Sequence, residues 1–138
     1  MRGLDTPVLL ALLRGEGRVS SYLRKWEAEE LCTTVVNLFE LETIARADRS
    51  PGRERRLAAL ERLRRKLTVL PVDERSARLG AQEAAKGDPA SAPPGTWLIL
   101  GALIAAGCSE WISTREARFP ASADLRIVIL GDHRTKKH

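Results

Sequence analysis

The chain has 138 residues, enough for one domain with a real core and too few for two. Its 23 basic residues outnumber 18 acidic ones, and the resulting net charge of +5 with an isoelectric point near 9.8 favours an anionic partner without identifying one. Cys32 and Cys108, far apart and each beside apolar residues, fit two reduced, buried packing thiols better than a metal clip or a disulfide framework.

The opening MRGLDTPVLLALLRG has only a superficial likeness to a secretory leader: Asp5 and Pro7 interrupt it, Arg14 closes it, and no small-residue cleavage site follows. A cytoplasmic protein is expected. Residues 2–5, RGLD, predict a short strand, after which Thr6 and Pro7 cap and open a helix. Helical pieces over Val8–Leu13 and roughly Val19–Glu29 are separated by Gly15 and Gly17. LCTTVV predicts a second strand, and VNLFELETIARA carries a helical pattern.

In RERRLAALERLRRK, residues 53–66, Leu57, Leu60 and Leu63 make an apolar stripe. Arg55, Arg56, Arg62, Arg65 and Lys66 lie largely off it, either as a phosphate-binding face or as a solvated one with a Glu61–Arg65 pair. LTVLPV is a third strand. Asp73 then caps ERSARLGAQEAAKG, whose Ala77, Gly80, Ala81 and Ala84 predict a close-packing side. The loop DPASAPPG leads into GTWLILGALIAAG, whose apolar run from Trp97 to Ala106 is well short of the roughly 17–25 residues that span a bilayer. It reads as a buried helix, and no membrane association is expected. EWIST is a fourth strand, Arg115–Phe119 a turn or short helix, and LRIVIL a fifth strand.

Short apolar strands alternating with helices predict a three-layer α/β/α sandwich around a central parallel sheet. A single domain over residues 1–132 is expected, with a basic tail at 133–138. Ligands in such sheets sit just beyond the carboxyl ends of the strands. Both histidines, His133 and His138, fall in the last six residues, which argues against a histidine triad or zinc site in the body of the fold. No glycine-rich phosphate loop is present in the sequence, so carboxylates remain.

Asp5 ends the first strand, either as a helix cap or as a ligand. Glu40 lies in line with Val36, Thr43 and Ile44 on a mostly apolar face, where a carboxylate is costly unless paired, hydrogen-bonded or bound to a cation. Glu42 has Arg46 one turn on as a surface partner. Glu116, in STRE, follows the fourth strand, where a solvated acid is the default. Glu110 begins its strand and belongs at the opposite end of the sheet, while Asp88 sits in the loop before the apolar helix. Asp5, Glu40 and Glu116 together could line an oxygen-rich pocket suited to Mg²⁺ or Mn²⁺.

These segments resemble the PIN-domain family, and within it the small VapC-like toxins, over nearly the whole chain. LDTPVLLALLRG is similar to that family's opening strand and Asp-Thr or Asp-Ser pair, matched by Asp5 and Thr6, with Pro7 in place of the usual Asn. TVVNLFELE places Thr34 and Glu40 on the family's Ser/Thr and Glu-Leu, and GCSEWISTREARF places Thr114, Glu116 and Phe119 on its strand-ending motif. The resemblance implies a Mg²⁺- or Mn²⁺-dependent endoribonuclease with Asp5, Glu40 and Glu116 as metal ligands. It also implies a homodimer neutralised by a small VapB-like antitoxin. Thr96 stands where the family's apolar helix normally opens with Asp, so it counts as a candidate catalytic residue that caps or hydrogen-bonds without bringing charge to a cation. Two readings follow: a divergent RNA-cleaving toxin in which a metal-activated water attacks the phosphodiester, or a PIN-like module that binds RNA or a partner protein without cleavage.

Overall fold

A computed structural model describes residues 1–131. Five strands, β1 (Arg2–Leu4), β2 (Leu31–Thr34), β3 (Thr68–Leu70), β4 (Glu110–Thr114) and β5 (Arg126–Leu130), form one sheet in the order β3-β2-β1-β4-β5. Every pairing is parallel, as in the registers Gly3↔Cys32 and Leu4↔Ile112. Winding runs one way from β1 to β3 and the other way through β4 and β5. The strand order therefore reverses beside β1, and the crevice that such a reversal opens lies at its carboxyl end.

The helices are α1 (Thr6–Leu13), α2 (Gly17–Leu23), α3 (Val35–Ala47), α4 (Arg53–Lys66), α5 (Glu74–Ala85) and α6 (Pro94–Ala105). Alternation along the strands divides the core in two. Leu4 and Ile112 face α1 to α4, where they pack with Val8, Leu9, Leu41 and Leu60. Cys32 and Trp111 face α5 and α6, with Leu70, Leu100 and Leu103. The result is the expected three-layer sandwich. No helix among the described residues is long and apolar enough to cross a membrane.

The close approach of α5 and α6 rests on two glycines. A Cβ on Gly101 would lie 1.9 Å from the Ser76 carbonyl oxygen, and one on Gly80 would lie 2.3 Å from that of Trp97. The buried side of α5 is therefore Ser76, Gly80 and Ala84, whereas Ala77 and Ala81 point to solvent, contrary to the small-residue side read from the sequence.

Three boundaries also differ. Helix α2 stops at Leu23, and Glu27 and Glu30 cap a separate 3₁₀ turn over Ala28–Glu30 that delivers the chain into β2. Strand β2 ends at Thr34 because the Thr34 hydroxyl accepts from the backbone N–H groups of Val36 and Asn37, committing the next residues to α3. Helix α6 opens at Pro94 with Pro93 at its cap position, which makes Thr96 the third helical residue and not the cap. The expected basic tail at 133–138 lies outside the described residues.

Candidate functional site at the end of the central strand

Asp5 leaves β1 at the reversal point and caps α1, and it is 6% exposed. Its Oδ1 accepts from the Thr6 backbone N–H at 2.8 Å and from Asn37 Nδ2 at 3.2 Å, and its Oδ2 accepts from the Ser113 hydroxyl at 2.6 Å. Three elements thus hold one carboxylate: α1 beneath it, α3 through Asn37 and β4 through Ser113. The capping role is the one seen here, and it occupies only part of the carboxylate's acceptor capacity.

Thr6 links Asp5's surroundings to Glu40. Its hydroxyl donates to Glu40 Oε1 at 2.5 Å and accepts from Asn37 Nδ2 at 3.0 Å. Asn37 is fully buried, and its Oδ1 accepts from the Thr34 hydroxyl at 2.7 Å. Burial is the largest influence on Asp5 and pushes its carboxyl above the ordinary range. The Ser113 hydroxyl and the Thr6 N–H pull the other way, while the nearby Glu40 charge adds to the rise. The Trp111 indole also favours the ionised form of Asp5, yet its buried Nε1 has no hydrogen-bond partner among the described residues.

The structure brings Asp5 and Glu40 together and leaves the other predicted site residues apart from their hydrogen-bond network. Glu116 is exposed in a 3₁₀ turn after β4, in the wall of a groove of about 1090 Å³ also lined by Pro7, Val8, Tyr22, Ile129 and Leu130. Thr96 is half-buried in the first turn of α6. Glu110 lies at the opposite end of the sheet, as expected, bonded to Arg2 and Arg126. Asp88 caps its own loop by accepting from the Ala90 N–H. Among the described residues no three His, Cys, Asp or Glu side chains gather as a metal-binding group.

Asn37 and Ser113 are the residues that sequence reasoning missed. Asn37 had a legible signal, lying three residues after the Thr34 cap and three before Glu40, hence near the same helical face. Ser113 had a weaker one, sharing the face of Trp111 by strand alternation.

The donor set suits a hard divalent cation. A carboxylate offers about four acceptor positions; Asp5 uses three, leaving one on Oδ2, and Glu40 Oε2 carries no hydrogen bond among the described residues. Mg²⁺ is commonly bound by only one or two carboxylates and completes its octahedron with water. Asp5 at the end of β1 and Glu40 on α3 offer carboxylate oxygens of that kind, while nothing in the set favours a soft metal.

The sequence model of the PIN domain matches residues 4–121, and the chain belongs to the PIN domain family. Its fold is that of VapC-like PIN domains, as solved structures show. FitAcB from Neisseria gonorrhoeae aligns with a TM-score of 0.77 at 22% identity, covering 93% of this chain and 96% of that one. VapBC2 from Rickettsia felis, bound to a DNA fragment from their promoter, aligns at 0.75 and 13% identity, over 91% and 96%. DNA-bound VapBC from Salmonella typhimurium aligns at 0.71 and 23% identity, over 91% and 95%. No curated protein matches the sequence significantly.

Proposed function

We propose that this chain is a VapC-like toxin ribonuclease, cleaving RNA in the cytoplasm with Mg²⁺ or Mn²⁺ held by Asp5 and Glu40, while Glu116 lies apart from them in the groove wall. The observation that carries the reading is the Asp5 carboxylate: buried, fixed by three donors from three elements, and tied through Thr6 to the Glu40 carboxylate. A bound divalent cation supplies Lewis-acid chemistry, lowering the pKa of water and neutralising charge on a phosphodiester. The protein's own part is orientation. Asn37 and Ser113 fix Asp5, and Thr6 fixes one oxygen of Glu40 and leaves the other open. Thr96, on the first turn of α6, offers a hydroxyl for a substrate phosphate or an ordered water.

RNA as substrate is supported by the basic face of α4, where Arg55, Arg62 and Lys66 are exposed beyond the ion pairs that Arg64 and Arg65 make with Glu61. A VapB-like antitoxin is supported by the groove beside β5, an edge strand whose half-buried Ile127 and Ile129 line it. A homodimer is supported by α3, which leaves Phe39 68% exposed beside Val35.

Two observations favour the binding-only alternative: the neutral Thr96 and the absence, among the described residues, of a three-acid group. The test is cleavage of a generic structured RNA with Mn²⁺. The nuclease reading expects cleavage that a chelator stops and that Asp5→Asn abolishes. Undetectable cleavage with RNA still retained would establish the alternative.

A further inference from the structure

Cys32 and Cys108, 76 positions apart, meet in the core with their Sγ atoms 3.8 Å apart. Cys32 is on β2, paired in register with Gly3 of the central strand, and Cys108 is on the connection from α6 into β4. The two thiols therefore join segments on either side of β1, at the end of the sheet opposite the acidic site. Both are free and buried, Cys32 completely and Cys108 to within 3%. Cys108 Sγ also lies 3.2 Å from the Met1 carbonyl oxygen and 3.3 Å from that of Glu110, a short distance from the chain terminus. No element of the acidic site uses either sulfur.

We propose that Cys32 and Cys108 are an intramolecular disulfide site, closed by a peroxide oxidant and opened by thiols. The separation exceeds a disulfide's ~2.05 Å by less than 2 Å, a gap that side-chain rotation and small backbone shifts close. Cys108, the less buried of the two, attacks the peroxide oxygen and becomes a sulfenic acid, releasing water. Cys32 sulfur then attacks Cys108 sulfur. The S–S bond forms, the S–OH bond breaks, and the departing hydroxide takes the Cys32 proton as a second water, so two thiols and one hydrogen peroxide give one disulfide and two waters. The close Cys108 sulfur and burial both raise the Cys32 thiol well above the ordinary range. The same contact lowers the Cys108 thiol, so Cys108 is the sulfur that meets the oxidant first. The closed bridge encloses a long loop and ties β2 to the entrance of β4, restricting the unfolded chain while leaving the acidic site in place.

The experiment is treatment of the folded full chain with excess hydrogen peroxide, followed by intact mass, thiol titration in denaturant and thermal melting. The expected result is a mass lower by about 2 Da at the two thiols, read apart from the ~16 Da that the exposed Met1 gains as sulfoxide, with loss of both thiols, no covalent dimer, and a melting midpoint higher by several degrees that dithiothreitol reverses. Cys32→Ala and Cys108→Ala should each lose the reversible rise. Two thiols that stay titratable after treatment of the folded wild type would overturn the proposal, whatever the variants do. So would a mass gain of about 32 Da from sulfinic acid, or bridging only between chains.

Discussion

Thr6 and Glu40, 34 positions apart, are joined by a 2.5 Å hydrogen bond from hydroxyl to carboxylate, and the same hydroxyl accepts the Asn37 amide. One small residue thereby sets the order of two elements around Asp5. Glu40→Gln keeps an acceptor for Thr6 and removes a like charge from the neighbourhood of Asp5. Without divalent ions its melting midpoint should equal or exceed that of wild type. A large fall in a thermal melt would instead make Glu40 a structural partner and remove it from the metal pocket.

The Asp5 carboxyl titrates above its ordinary value because it is buried. A raised folded-state pKa means that the folded chain binds the proton more tightly than the unfolded chain does. The charged carboxylate therefore works against the fold at neutral pH, and the penalty is relieved as pH falls through the folded pKa toward 3.8. Asp5→Asn should be at least as stable as wild type at about pH 7, with the difference shrinking toward about pH 4. Urea midpoints across that range check the sign. A variant less stable at neutral pH and recovering on acidification would mean that the three donors outweigh burial.

Asn37 donates to Asp5 and Thr6 and accepts from Thr34, all with no exposure to solvent. Asn37→Ala should cost roughly 2–3 kcal/mol in denaturant unfolding, because buried partners lose bonds that water replaces poorly. A loss under about 0.5 kcal/mol would show that the crevice is wet enough to substitute for the amide.

Gly101→Ala tests the packing of α6. Helix propensity alone predicts a gain of up to about 1 kcal/mol. A Cβ 1.9 Å from the Ser76 carbonyl oxygen predicts the opposite, since backbone and not a flexible side chain must give way. A net loss of about 3 kcal/mol or more is expected from chemical denaturation.

Much of this arrangement was legible in the sequence, and the residues show why the rest was not. The strand-helix alternation and the end-of-strand position of Asp5 follow from local pattern, whereas the face of α3 that carries Glu40, expected to be costly for a charge, is exposed along with Thr43 and Ile44. Periodicity alone carries the second helix on to Glu29, because it does not register the Glu27–Glu30 capping pair that restarts the chain after Leu23. Sequence pattern puts Thr96 at the helix cap because prolines commonly close a loop, whereas Pro94 opens α6. The Ser113–Asp5 bond and the Cys32–Cys108 contact join residues 108 and 76 positions apart, distances over which local pattern carries no information.

The central claim is that Asp5 anchors a divalent-cation pocket, and Mn²⁺ binding by calorimetry on wild type, Asp5→Asn and Thr96→Asp tests it most directly. Wild type should bind weakly, in the micromolar to millimolar range, because Thr96 brings no charge. Asp5→Asn should bind about tenfold or more weakly, and Thr96→Asp, whose carboxylate also suits the first turn of α6, should bind more tightly than wild type. Titrations of wild type and Asp5→Asn that coincide, with or without heat, would contradict the account.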